Sequence, residues 1–326
     1  MTPIRPDRFA PFVATLGRGP GRSRALTREE AREAFALILA GEVDPIQLGA
    51  FLMLLRYRGE DAAEIAGLVE AAQAAIPRVD AAVMLDWPSY GAGRTRGAPW
   101  FLLAALALAR AGVRVLMHGS NAFSAGTSVA SGLAALGLAP AADEDGAAVA
   151  LARDQFAYLP LATLAPELAR LIGLRRLFGL RSPVNTVVRL LDPGRAPAGI
   201  DGVFHPAYMD VHLRVAELLA RPRLLVLKGG GGEAELVPIK PAVAHLWSAE
   251  AGRSTLELPA WPGLGAAAAP EPDPAALSAV WRGDVAPARP VATVRATIAL
   301  GLLALGTAAT PAAAEREAAR VWAARR

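Results

Sequence analysis

The 326-residue sequence contains no cysteine. That excludes disulfides, thiolate metal sites and a cysteine nucleophile. Lysine is almost missing: only Lys228 and Lys240 stand beside 32 arginines. The four histidines, His118, His205, His212 and His245, show no metal-ligand spacing. The longest apolar stretches, residues 101–109 and 296–305, run to about ten residues, half of the ~20 a membrane helix needs. No membrane span is expected. The first ten residues carry Arg5, Asp7 and Arg8 and no apolar core, so no signal peptide is read there and the cytoplasm is the default location.

Apolar residues make up 53% of the chain, much of it alanine. The length suits two domains of about 150 residues, each able to bury a core. The isoelectric point of about 9.9 raises the question of nucleic acid, but the net charge is only +4 and the arginine bias fits an Ala- and Arg-rich proteome. Distribution says more than the total. Arg170, Arg175, Arg176, Arg181, Arg189 and Arg195 lie within 26 residues with one acid, Asp192, so this segment carries +5 and the rest of the chain −1. Such a cluster can neutralise several phosphates without reading sequence. The alternative is a solvated helix face.

Residues 1–25 read as an extended arm. Three helices follow: one opened by Thr27 and Glu30 as a capping box, one by Asp44 and Pro45, and one by Asp61 with Glu64 as box partner. Beyond residue 80 the pattern changes. Apolar runs at 83–85, 113–117, 156–159, 200–204 and 223–227 read as strands, alternating with helical stretches. That alternation predicts crossover units and a mostly parallel sheet. Residues 266–274 read as a loop, and helices over 290–306 and 311–324 close the chain. The fold class expected is α/β with a separate all-helical N-terminal domain. The boundaries are 1–78 and 79–326, and a segment near 165–190 is the later stretch able to rejoin the helical domain.

The run Leu39-Ala40-Gly41-Glu42-Val43-Asp44-Pro45-Ile46-Gln47-Leu48-Gly49-Ala50-Phe51-Leu52 resembles the N-terminal helical signature of the anthranilate phosphoribosyltransferase family. The run Gly59-Glu60-Asp61-Ala62-Ala63-Glu64-Ile65-Ala66 does so too. The likeness continues at His118-Gly119, over 131–137, over 185–193 and at Gly202-Val203-Phe204. It implies the class II nucleoside phosphorylase and phosphoribosyltransferase fold of glycosyl transferase family 3, and a homodimer joined through the helical domain.

The family's active-site motifs match less well. The resemblance puts a Gly-Thr-Gly-Gly-Asp pyrophosphate loop after the first strand, where small residues let backbone N–H groups reach an anion. Here the segment reads Asp86-Trp87-Pro88-Ser89-Tyr90-Gly91-Ala92-Gly93-Arg94-Thr95-Arg96-Gly97. Trp87 and Tyr90 are bulky and Pro88 has no N–H. Arg94 and Arg96 add charge that can hold phosphate through side chains. The family's Asn-x-Ser-Thr element falls on 99–104, which has no hydroxyl. Its Lys-His-Gly-Asn motif becomes Met117-His118-Gly119-Ser120-Asn121. Its acidic metal pair falls near 232–236, where Glu233 and Glu235 are separated by Ala234.

These departures resemble a side branch of paralogues that lack the enzyme's signature and bind nucleic acid as homodimers. The expected site residues are therefore Arg94, Arg96, Arg170, Arg175, Arg176, Arg181, Arg189 and Lys228 for nucleic acid or phosphate. Ser89, Tyr90, Gly91, His118, Gly119 and Asn121 line the ancestral substrate cleft. No metal or cofactor is expected, with Mg²⁺ entering only if the chain is an enzyme. The second reading is a glycosyl or phosphoribosyl transferase with another acceptor. Three features stay open. His118 is either a structural hydrogen-bonder or a ligand group. The glycines at 229–232 form an anion nest or a hairpin connection. Trp87, Tyr90 and Trp100 stack on bases or fill the old cleft.

Overall fold

The computed structural model describes residues 7–19, 21–91, 97–120, 122–123, 127–265 and 273–326. In chain order the helices and strands are α1 (Ala10–Gly17), α2 (Arg28–Leu39), α3 (Pro45–Arg58), α4 (Ala62–Ala75), β1 (Leu85–Ser89), α5 (Trp100–Arg110), β2 (Val115–Gly119), α6 (Val129–Ala135), α7 (Glu144–Asp154) and β3 (Phe156–Pro160). Then come α8 (Leu161–Leu164), α9 (Pro166–Gly173), α10 (Arg175–Phe178), α11 (Val184–Val187), β4 (Ala198–Val203), α12 (Ala207–Leu218) and β5 (Arg223–Lys228). β6 (Ala242–Ser248), β7 (Gly252–Leu258), α13 (Pro274–Arg282), α14 (Ala288–Leu305) and α15 (Pro311–Ala323) complete the chain. Two compact units result: Met1–Ile76 with Ala165–Leu191, and Pro77–Leu164 with Asp192–Arg326.

The first unit is helical. Its N-terminal stretch is not the extended arm that its Pro, Gly and Arg content suggests. Asp7 accepts the N–H groups of Phe9 and Ala10 at 2.8 and 3.2 Å, Pro11 suits the first turn of α1, and Phe9 packs on Phe51 at 5.2 Å between ring centroids. Burial of Phe9, Phe12 and Leu16 supplies the free energy that loop-like composition conceals. The capping box of α2 forms in full, with Thr27 and Glu30 each accepting the other's backbone N–H, and Asp44 caps α3 through Ile46 N–H. At α4 the outcome differs. Asp61 caps Ala63, but Glu64 turns inward and accepts the Leu26 N–H at 2.7 Å. Glu64 N–H also donates to Asp61 at 3.4 Å, and the Glu64 side chain ties the lead into α2 to the start of α4.

The second unit is built on a seven-stranded sheet in the order β3-β2-β1-β4-β5-β6-β7. β3 to β5 are parallel, whereas β6 and β7 add antiparallel to β5. The sheet is thus mostly parallel, as the alternation of strands and helices predicts. The hairpin of β6 and β7 escapes sequence reading because its residues are mixed and half exposed. β1 and β2 also sit two residues later than their apolar runs suggest, so Asp86, Trp87, Pro88 and Ser89 are strand and not loop. The Ser89 carbonyl faces β2, where it accepts Ser120 N–H. By alternation the Pro88 nitrogen faces β4, past the last register pair Asp86↔Gly199, so its missing donor costs no ladder bond. α14 is long and apolar enough to cross a membrane by length and composition alone, and most of it is buried as a core helix of this unit.

Two tests follow from the helical unit. A β-carbon at Gly67 would lie 2.1 Å from the Arg28 carbonyl oxygen, so α2 and α4 meet backbone to backbone there. Gly67→Ala is expected to destabilise the protein by about 1–3 kcal/mol, read from denaturant unfolding; an unchanged midpoint would refute the close packing. Burial raises the Glu64 carboxyl above its ordinary 4.5, against a smaller lowering by the Leu26 amide. A raised carboxyl stabilises the fold fully below the unfolded value and loses that contribution as pH climbs through the folded one. Glu64→Gln keeps the acceptor and removes the buried charge. Its melting temperature should match the parent near pH 4 and exceed it increasingly toward pH 8; a pH-independent difference would rule this out.

Candidate functional site

In an open parallel sheet, ligands bind beyond the carboxyl ends of the strands near the point where strand order reverses. Here that point lies among β2, β1, β4 and β5. Buried polar groups of the second unit run along these strands, from Arg221 and Asp192 before the amino ends of β5 and β4 to His118 and Ser89 near the carboxyl ends of β2 and β1. Asp86, on β1, is fully buried, with its two oxygens 3.2 Å from His118 Nε2 and 3.1 Å from Arg221. His118, on β2, takes the Tyr90 hydroxyl on Nδ1 at 2.7 Å. Arg221, only 5% exposed, also reaches Asp192 at 3.4 Å. A second buried pair, His212 Nδ1 with Asp201 at 2.7 Å, joins α12 to β4.

Opposite charges face one another along this chain of contacts, although Asp86 Oδ1, His118 Nε2, Asp201 Oδ1 and Arg221 Nε and Nη1 are buried without a hydrogen-bond partner among the described residues. Burial depresses the Arg221 guanidinium, but the carboxylates of Asp192, Asp86 and Asp201 outweigh it and hold it above its ordinary value. Burial pushes the Asp192 carboxyl up, opposed by Arg221. Removing one partner of such a set leaves an uncompensated buried charge. The network therefore fixes the ends of β1 and β2.

Above it lies the connection 229–241. Gly230–Gly232 is a 3-10 turn with Gly231 at φ 66°. It begins a long link between antiparallel neighbours, β5 and β6, and seats two inward-turned acids. Glu233 accepts the Gly91 N–H at 2.6 Å and the Ser89 hydroxyl at 3.2 Å. Glu235 accepts the Phe101 N–H, at the start of α5, at 3.0 Å. Each is 4% exposed. The fit is close: a β-carbon on Gly91 would lie 2.2 Å from the Glu233 carboxylate, and one on Gly202 or Gly229 would lie 2.0 or 1.5 Å from its backbone.

The structure thus brings Ser89, Tyr90, Gly91, His118 and Gly119 together, with Gly119 paired to Ser89 in the ladder. Arg94, Arg96 and Asn121 lie outside the described residues. His118 is buried and held between Tyr90 and Asp86. Trp87, Tyr90 and Trp100 are 0, 5 and 7% exposed, so they fill the interior and offer no face to a base.

The arginine cluster is not one patch. Arg170 pairs with Glu167, Arg176 is exposed, and Arg175 and Arg181 are half-buried. Arg189 is buried at 8% exposure, because it sits among Val187, Val188, Leu190 and Leu191, all fully buried. These five belong to the helical unit, whereas Arg195 belongs to the sheet unit. Lys228 is the last residue of β5 and exposed. Sequence reading missed Asp86, Arg221, Asp192 and the Asp201–His212 pair as site-forming groups. No local signal marks them, since their partners lie far along the chain. Among the described residues there is no group of three or more His, Asp or Glu able to hold a metal ion.

Two family models match the chain: the helical bundle domain of the glycosyl transferase family over residues 11–76 and its a/b domain over residues 101–261. The anthranilate phosphoribosyltransferase of Beijerinckia indica is 33% identical over 91% of this chain and 88% of its own length. That of Methylobacterium nodulans is 34% identical over 90% and 88%. Among solved structures, anthranilate phosphoribosyltransferase from Thermus thermophilus superposes with a TM-score of 0.80 at 27% identity, covering 98% of this chain and 95% of that one. The Saccharomyces cerevisiae enzyme in complex with PRPP and Mg shares the fold, with a TM-score of 0.78 at 16% identity over 97% and 94% of the two chains. The chain belongs to the anthranilate phosphoribosyltransferase-like family of glycosyl transferases.

Proposed function

We propose that this family member has given up phosphoribosyl pyrophosphate and binds nucleic acid without sequence preference, as a homodimer. The observation that carries the reading is the placement of Glu233 and Glu235. The family resemblance puts the pyrophosphate loop after β1 and a phosphate-contacting hydroxyl element at the start of α5. In this chain the backbone N–H groups of Gly91 and Phe101, one in each of those places, already hold a carboxylate. A pyrophosphate arriving there meets two buried acids of its own sign and finds these donors occupied. The same two acids stand where the resemblance puts the magnesium ligands. One oxygen of each is spent on an amide of a different segment, and no third His, Asp or Glu among the described residues joins them. Two acids so engaged are a poor Mg²⁺ site, since a hard cation takes several convergent oxygens.

Charge supports the binding half of the reading. The excess of the whole chain sits in residues 170–195, with Arg176 exposed and Lys228 at an open strand end. The helical unit also exposes Ile46, Tyr57, Leu177 and Leu180, at 83, 91, 81 and 55%. A second copy covering this apolar set would make a homodimer through that unit and double the positive charge available to one polyanion. Transfer of a phosphoribosyl group to another acceptor is the competing reading, and it requires the two acids to vacate their amides.

Two experiments separate these readings. Binding of a fluorescent oligonucleotide should weaken on the order of a hundredfold between 50 and 200 mM salt, as expected for about five phosphate contacts, with no phosphoribosyl pyrophosphate consumed with amine acceptors. Salt-insensitive affinity, or measurable turnover, would overturn the proposal. Glu233→Ala strips the acceptor from Gly91 N–H and should cost about 1–3 kcal/mol in denaturant unfolding. If the acid stands in for an anion, millimolar formate or phosphate should raise the melting temperature of this variant more than that of the parent; an equal response in both would refute the substitution of carboxylate for ligand.

A further inference from the structure

The carboxyl ends of β4 and β5 lie side by side. Val203 and Lys228 are register partners, and Gly229 N–H donates to the Val203 carbonyl at 3.1 Å. The chain leaves β4 at Phe204, a large aromatic side chain left 50% exposed. His205 follows and is exposed. Its ring centroid is 4.8 Å from that of Phe204, with the rings at 83°. An edge-to-face contact of this kind steadies a ring without enclosing both of its faces. Lys228 is exposed on the adjoining strand end and enters no ion pair among the described residues. The cations on the neighbouring helix and hairpin are committed by contrast: Arg214 to Asp210, and Arg253 to Asp210 and Glu217. The acids of the loop after Lys228 are turned inward, so they leave its ammonium uncompensated.

An exposed aromatic side chain that follows one strand end and an unpaired ammonium on the adjoining strand end, on the ligand-facing side of a parallel sheet, match the two parts of a nucleotide unit. One part is a flat base and the other a phosphate. Neighbouring strands are about 4.8 Å apart, so the two side chains start within one nucleotide of each other. We infer that Phe204 is a stacking platform for one unpaired base and that Lys228 holds a phosphate of the same strand, which makes this a subsite for single-stranded nucleic acid. The inference rests on the nucleic-acid reading above and adds to it a residue, a contact type and a strand preference. A duplex buries its base faces in its own stack and has none to offer Phe204, whereas a single strand does. Trp87, Tyr90 and Trp100, the aromatic residues that the sequence offers for stacking, are buried, and Phe204 takes the place they cannot fill.

The test uses the full-length chain, oligothymidine and a duplex of equal length, with affinities taken at several salt concentrations by fluorescence anisotropy. Phe204→Ala should lower single-strand affinity about tenfold to a hundredfold, leave the dependence on salt unchanged and leave duplex affinity as it was. Phe204→Tyr should retain the parent affinity, since it keeps the ring. Lys228→Gln should reduce the single-strand salt slope by about 0.7. The platform is overturned if Phe204→Ala binds oligothymidine as the parent does, if it weakens single strand and duplex alike, or if Phe204→Tyr is as weak as the alanine variant. A parent chain that binds neither oligonucleotide overturns the nucleic-acid reading itself, whereas a parent that binds and is indifferent to Phe204 removes only the platform.

Discussion

The buried guanidinium of Arg221 holds the centre of the sheet unit in register. It stands between Asp86 and Asp192, and Asp86 passes the contact on to His118 and Tyr90. An aspartate in the middle of a parallel strand is unfavourable by itself, because burial penalises the charged form. It is tolerated here because a cation and a histidine arrive from other segments. Once that set is assembled, β1 can continue through Pro88 to Ser89, and the chain emerges at Gly91 with its backbone N–H aimed at the crevice. Ser89, Tyr90 and Gly91 follow from this path of β1.

What occupies the crevice is the protein itself. Family resemblance gives the region a phosphate-binding design, with small residues after a strand and amides at the head of a helix. In this chain the Gly91 and Phe101 amides donate to the carboxylates of Glu233 and Glu235. Gly91, Gly202 and Gly229 are required around Glu233 because a β-carbon at any of them would overlap it. Three separated glycines shaped to one glutamate mark a built feature of the fold.

The arginine segment shows how far charge counting can be carried. Six arginines close in sequence suggest one surface. Folding divides them between two units, pairs Arg170 with Glu167 and buries Arg189. The surplus charge survives as a property of the segment, but fewer of its arginines are exposed, and Lys228, which sequence placed at a strand end, stands at the end of β5. Phe204 ends a run read as a strand and matched by family likeness, and its exposure makes it distinctive.

The sequence by itself determined the helical caps at Thr27 and Asp44, the alternation that predicts a mostly parallel sheet, and the family. Each of these depends on neighbours a few residues apart or on a pattern carried along the chain. It also showed that the segment from Asp86 to Gly91 differs in composition from the family's Gly-Thr-Gly-Gly-Asp run. Only the tertiary structure decided that most of this segment is strand, that Asp86 is neutralised by a residue 135 positions away, and that Gly91 is held by a glutamate 142 positions away. Local spacing cannot carry such pairings, because a buried charge and its partner meet through packing of distant elements, and the sign and exposure of a site are set by what packing brings beside it.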